Sequence, residues 1–191
     1  APYSAPAAYY FPMATRMKSI EVFKGPGSIR HGPNTIGGAV NMVGRGIPLG
    51  TEGALHTAAG QRGFGKLHLW AGHGGERWGA LAEAVALQAG GFKELDGGGD
   101  TGFGKREVTS RMRWNSDLDA DTFHEVELRL GYADEDSHET YLGLTQADFE
   151  EAPYRRYAAS ALGRMQWERT SVRADWRAEL GDALAFSLTG Y

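Results

Sequence analysis

Cysteine is absent from this 191-residue chain. That excludes disulfides, thiolate metal centres and cysteine nucleophiles, and leaves either redox compartment open. No apolar run approaches the ~20 residues of a membrane-spanning helix, and mean hydropathy is -0.42. Membrane-spanning β-strands escape that test, because they are short and alternate apolar with polar residues. No block of basic residues exists. The net charge is -4, with both signs interspersed, which argues against nucleic acid as a partner. Prolines number only 7 and aromatics reach 11%, so the composition is that of a folding chain. The first residues carry no basic, apolar leader.

Glycine is what the chain has in excess: 28 residues, about twice the average usage of ~7%. It is concentrated where Ile20-Glu21-Val22-Phe23 runs into Gly25-Pro26-Gly27, Gly32-Pro33 and Gly37-Gly38, before a second apolar run from Ala39 to Val43. Glycines at these intervals fix tight turns and let backbones approach closely. The spacing predicts short buried strands at 19–23 and 39–43, joined by turns. Before them, Pro2, Pro6 and Pro12 among Tyr3, Tyr9, Tyr10 and Phe11 predict a non-helical aromatic loop. Residues 44–50 read as a linker by composition.

Beyond residue 50 the pattern has period two. Leu67, Leu69 and Ala71 alternate with Lys66, His68 and Trp70. Val126, Leu128, Leu130 and Tyr132 alternate with Glu125, Glu127, Arg129 and Gly131. From 169 to 180, Thr170, Val172, Ala174, Trp176, Ala178 and Leu180 oppose Arg169, Ser171, Arg173, Asp175, Arg177 and Glu179. Strict alternation puts one apolar and one polar face on a strand. Strands are expected at 65–74, 107–116, 123–132 and 169–180. The Ala-rich segment 78–89 fits helix or strand by propensity, and its neighbours favour a strand. Short turns at 74–76, 117–122 and 181–182 alternate with long polar connections at 90–105 and 133–161. The connection near 61–65 is short and breaks that rule. Strands of about ten residues with long loops at one end suit a tilted membrane crossing.

Few residues suggest chemistry. The histidines at 31, 56, 68, 73, 124 and 138 are scattered, with no metal-ligand spacing. The run Asp134-Glu135-Asp136-Ser137-His138-Glu139 lacks the pattern of a calcium loop and reads as a solvated loop. Gly25-Pro26-Gly27 and Gly97-Gly98-Gly99 lack the Lys-Ser/Thr ending of a phosphate loop. No nucleophile elbow surrounds Ser137, so no catalytic residue is assigned. Thr145 to Glu151 reads as a short helix capped by Thr145 with Asp148 in its first turn. Arg155 and Arg156 follow, between Tyr154 and Tyr157. Two guanidinium groups among aromatic rings can grip a carboxylate-rich ligand. The plainer reading is a solvated loop with Glu150 or Glu151 as local partner.

The stretch from Ile20 to Val43 resembles the end of the plug domain of TonB-dependent outer-membrane receptors. There, a strand of the type IEVxRGP is followed by YGxxxxGGxxN. The residues carrying the likeness are Gly25, Pro26, Gly32, Gly37, Gly38 and Asn41. Lys24 stands where arginine is usual, and Arg30-His31 where an apolar-tyrosine pair is common. With Leu142-Gly143-Leu144-Thr145-Gln146-Ala147-Asp148-Phe149, the chain is most similar to ferric citrate receptors within that family.

The resemblance implies an all-β, mainly antiparallel fold. Residues 1–44 would end a plug, 45–51 would link, and 52–191 would form about seven of the ~22 strands of a transmembrane β-barrel. It implies energised uptake of a ferric chelate, such as ferric citrate or a siderophore, across the bacterial outer membrane. Iron would be carried as substrate, with no resident cofactor or metal and no enzymatic activity. Partners would be the chelate, outer-membrane lipid and lipopolysaccharide, and the TonB energising complex acting through a segment not present here. Tyr9, Tyr10 and Arg30 on the plug join Arg155 and Arg156 as ligand-contact candidates. A missing leader implies a segment that starts downstream of the true N-terminus. The competing class is a passive porin or adhesin-type barrel, which has no need of the glycine-rich segment.

Overall fold

The structure, a computed structural model, describes residues 11–32, 37–181 and 184–191. It is mostly antiparallel β, as the alternation predicted. The chain divides into two compact units, Ala1–Gly46 and Ile47–Tyr191.

In the first unit, β1 (Met17–Phe23) pairs antiparallel with β2 (Ala39–Gly44). Between them Gly25–His31 winds as a 3-10 helix, with Pro26 in its first turn and the Ser28 hydroxyl donating to Gly25 O at 2.8 Å. Gly38 shows why that position takes glycine. Its φ is +127°, and an added Cβ would stand 2.7 Å from Phe23 O. Asn41 lies directly opposite Glu21 and donates to its carboxylate at 2.8 Å, locking the register of the pair.

The second unit is a seven-stranded antiparallel sheet of β3 (Gly50–Ala59), β4 (Gly65–Gly74), β5 (Trp78–Ala89), β7 (Phe103–Asn115), β8 (Thr122–Ser137), β10 (Met165–Leu180) and β11 (Leu184–Gly190). Each strand pairs with its predecessor in this series, so every connection is a hairpin. Two short strands in the loops, β6 (Glu94–Leu95) and β9 (Arg155–Arg156), pair parallel, and α1 (Gln146–Glu151) lies between β8 and β9. The segment 78–89 is a strand throughout its length.

Several strands outrun the expected limits. β8 continues through Asp134, Glu135, Asp136 and Ser137, so most of the acidic run is strand rather than solvated loop. Cross-strand partners explain it: Arg106 holds Asp134 at 2.9 Å, Lys105 holds Glu135 at 3.1 Å, and Arg164 holds Asp136. β3 begins at Gly50, inside the expected linker, because Gly50 pairs with Gly74 at the end of the ladder. The two long connections shorten to 90–102 and 138–164 and lie with 60–64 at one end of the sheet. The other end carries 75–77, 116–121 and 181–183.

Register assigns the faces. One carries Leu55, Leu69, Ala84, Val108, Leu130 and Val172, and its large side chains are exposed. Near the short-turn end of this face, Trp78, Trp114, Val126, Trp176 and Leu188 form one row across five strands. Trp78 and Trp114 lie 6.3 Å apart between ring centroids, and His124 stacks on Trp176 at 5.9 Å. On β5 the same face carries only alanine from Ala80 to Ala86. The opposite face is polar. Its buried residues include His68 and Glu83, paired at 2.8 Å, together with Glu107, Val85 and Leu81.

Gly74 is the tightest point of the β4 end. An added Cβ would stand 2.0 Å from the Pro48 carbonyl oxygen, whereas one at Gly104 would meet nothing within 4 Å. Gly74→Ala is expected to lower stability by about 1–3 kcal/mol. Gly104→Ala should leave the thermal unfolding midpoint unchanged or raised. Circular dichroism melts of the two variants check this, and equal midpoints would refute it.

Candidate functional site

The long-loop end holds two of the residues that the sequence singled out for binding, Arg155 and Arg156. It is built on the ladder ends of β5, β7, β8 and β10, which hold loops 90–102 and 138–164 side by side. The β6·β9 pair then ties the loops together, with Glu94 N donating to Tyr154 O at 2.7 Å and Asp96 N to Arg156 O at 2.8 Å. Loop 60–64 joins them. Gly90 N donates to Arg62 O at 2.7 Å, and the Arg62 guanidinium lies 5.5 Å from the Tyr154 ring centroid. Arg62 itself has φ +56°, a left-handed conformation uncommon outside glycine.

Arg155 sits between two carboxylates. Its Nε donates to both oxygens of Asp96 at 3.0 and 3.1 Å, and its Nη1 to Asp148 Oδ1 at 2.8 Å. The partners are Asp96 and Asp148, not Glu150 or Glu151. Glu150 instead accepts from Gln146 one helical turn away. The Tyr157 ring lies 5.1 Å from the Arg155 guanidinium. Hydrogen bonds to Asp96 raise the Arg155 pKa.

Asp148 is the hub of the helix start. Thr145 caps α1 as the spacing predicted, its hydroxyl oxygen accepting from Asp148 N at 3.2 Å. The same hydroxyl donates to Asp148 Oδ2 at 2.6 Å, and Tyr157 OH donates to that oxygen too. Donors from Thr145 first and Tyr157 second, with Arg155 beside them, hold the Asp148 pKa below the usual carboxylate range.

Arg156 is placed differently. It is buried, and its guanidinium donates to His138 O at 2.6 Å, Ser160 Oγ at 3.0 Å, Ser160 O at 2.7 Å and Gly163 O at 3.0 Å. This cation fastens the start of the loop to its end. A ligand would have to displace those carbonyls to reach it. Around the ties, aromatic rings remain exposed: Phe92 and Tyr154 meet edge to face, and Tyr141 is 86% exposed.

Of the remaining candidates, Arg30 is exposed in the first unit, its Nε 3.4 Å from Gly27 O. Tyr9 and Tyr10 lie outside the described residues. Sequence reasoning missed Asp96 and Arg62, and it named Tyr157 only as a ring beside the arginines, not as a donor to Asp148. Only the Asp96 side chain, just before three glycines, offered a signal, as a turn residue. Among the described residues, no three His, Asp or Glu side chains are grouped to hold a metal. No protein-family model matches the chain, and no solved structure matches it.

Two predictions follow from these ties. Arg156→Ala removes the donor from several buried carbonyls and should open loop 138–164 by about 3 kcal/mol. Limited proteolysis should then cut that loop well before the sheet, and an unchanged cleavage rate would refute the role. Asp148 is stabilising while ionised, because its pKa is depressed on folding. The contribution is present above the ordinary carboxylate range, near pH 4, and is lost as pH falls through the depressed value. Protection of the amides at 145–157, measured against their intrinsic exchange at each pH, should fall below about pH 4, and Asp148→Asn should show that loss of protection at neutral pH. A loop equally protected in both proteins would count against it.

Proposed function

We propose that this chain is the part of a TonB-dependent outer-membrane receptor where the end of a plug meets the first barrel strands. The whole protein would take up a ferric chelate, such as ferric citrate or a siderophore. The observation that carries the reading is the exposed apolar face of the seven-stranded sheet. In water an apolar surface of that extent is a liability, while in a bilayer it is the lipid-facing side.

Its limits agree. The tryptophan row marks the short-turn end, where aromatic side chains suit a membrane interface. At the other end the same face turns ionic, with Arg106, Asp134, Asp136 and Glu168. Lipopolysaccharide would meet this ionic margin. The polar face would line a wet interior, and the long loops would lie outside the cell.

The glycine-rich unit before the sheet favours a plugged receptor over a passive porin or adhesin. Lys24 keeps the charge usual at its position without the bidentate reach of arginine. Arg155, half-exposed among tyrosines, is the strongest loop candidate for a carboxylate-rich chelate, with Tyr9, Tyr10 and Arg30 on the plug. Iron is cargo on this reading and no resident cofactor is involved. The energising complex would act through a segment outside these residues, and two open sheet edges would be closed by strands that are also outside them.

Two measurements test this. The protein should fractionate with the outer membrane and change migration on heating. Its expression should rise under iron starvation, and a deletion strain should lose growth on one ferric chelate. Recovery in a soluble fraction would sink the membrane reading. A flat iron response with normal growth on every chelate would sink the ferric one.

A further inference from the structure

The two long loops are held in unequal ways. Loop 138–164 is fastened largely to itself. Thr145 caps α1, Tyr157 OH and Arg155 Nη1 donate to Asp148, and Thr145 N donates to Tyr157 OH at 3.1 Å. Arg156 then binds His138 O, Ser160 and Gly163 O, and the Ser160 hydroxyl donates to Tyr157 O at 2.8 Å.

Loop 90–102 has less of its own. The Thr101 hydroxyl donates to Lys93 O at 2.7 Å, Gly98 N to Leu95 O at 2.8 Å, and Gly102 N to Asp100 Oδ1 at 2.9 Å. Just past Asp96, Gly97 and Gly98 have φ +88° and +82°, and an added Cβ at either would meet nothing within 4 Å. Packing does not hold that segment. Its firm ties run across to the other loop. Glu94 N and Asp96 N donate to the carbonyls of Tyr154 and Arg156, Lys93 Nζ donates to Pro153 O at 3.1 Å, and Phe92 meets Tyr154 edge to face. Asp96 ties twice, because its carboxylate also accepts from Arg155 Nε.

We propose that residues 92–101 form a detachable strap. It lifts off loop 138–164 as one body while that loop keeps its fold, and Asp96 is its clasp. The roots stay joined, since His138 N donates to Gly102 O at 2.9 Å beside the ladder end. Lifting returns the Arg155 Nε and leaves Asp148 as the carboxylate on that guanidinium. The strap therefore sets how many donors Arg155 presents outward. Nothing in this arrangement depends on the membrane assignment, because every bond in it lies within the two loops.

The test is amide exchange by mass spectrometry on the full-length protein containing these residues, at neutral pH. Asp96→Asn should cut protection at 93–98 about tenfold, the scale of one charged hydrogen bond, with 145–160 unchanged. The reverse lesion should not be one-sided. Arg156→Ala should loosen 138–164 and the strap together, because the strap's acceptors move with that loop. Tyr157→Phe keeps the ring and removes the hydroxyl between Thr145 and Asp148. It should also loosen both, and it replaces Arg156→Ala if that variant does not fold. Equal loosening of both loops in Asp96→Asn, a strap still protected when 145–160 has opened, or no response at 93–98 to Asp96→Asn would overturn the proposal.

Discussion

Side chains along an extended strand alternate sides, and seven strands in continuous register turn that local rule into a property of the whole sheet. Each hairpin hands its register to the next. Leu55 meets Leu69 and Leu69 meets Ala84 on one face, while Arg113 meets Glu127 and Glu127 meets Asp175 on the other. A slip of one residue at any pair would send charge into the apolar face and apolar groups into the ionic one. The tryptophan row and the ionic margin are both consequences of this single constraint.

The loop end depends on the same ladder. Parallel pairing of two residues from separate loops is weak by itself, and β6·β9 persists because the strands deliver its halves to the same place. Charge-assisted bonds then finish the work. Arg155 closes the outer side through Asp96 and Asp148, and Arg156 closes the inner side through carbonyls. The two neighbouring arginines have divided their roles, one facing carboxylates near solvent and the other buried in backbone.

Much of this was legible in the residues. The strand at 65–74 and the Thr145 cap follow from turn chemistry, alternation and capping rules that act within a few residues, whereas the Ala-rich strand at 78–89 was legible only from its neighbours. The extensions of β8 and β10 were hidden, because Asp134 to Asp136 put charge on both faces and erased the apolar signal. Only Lys105, Arg106 and Arg164, distant in sequence, make that charge tolerable. Arg156 was unreadable for a similar reason: its acceptors are main-chain carbonyls, which every residue has and no sequence distinguishes. Asp96 gave a turn signal but nothing that tied it to Arg155, 59 residues away.

Hairpin-only connectivity also sets the order of assembly. Each long strand pairs with the next long strand in the chain, so each step closes only the loop between them, the longest being 138–164. The sheet can zip one strand at a time as the chain emerges. The β6·β9 clip is the exception, because it joins loops separated by β7 and β8 and closes only when both have docked in register. Its formation is a late checkpoint: a chain whose ladder has slipped cannot bring Glu94 to Arg155, and its loops stay open.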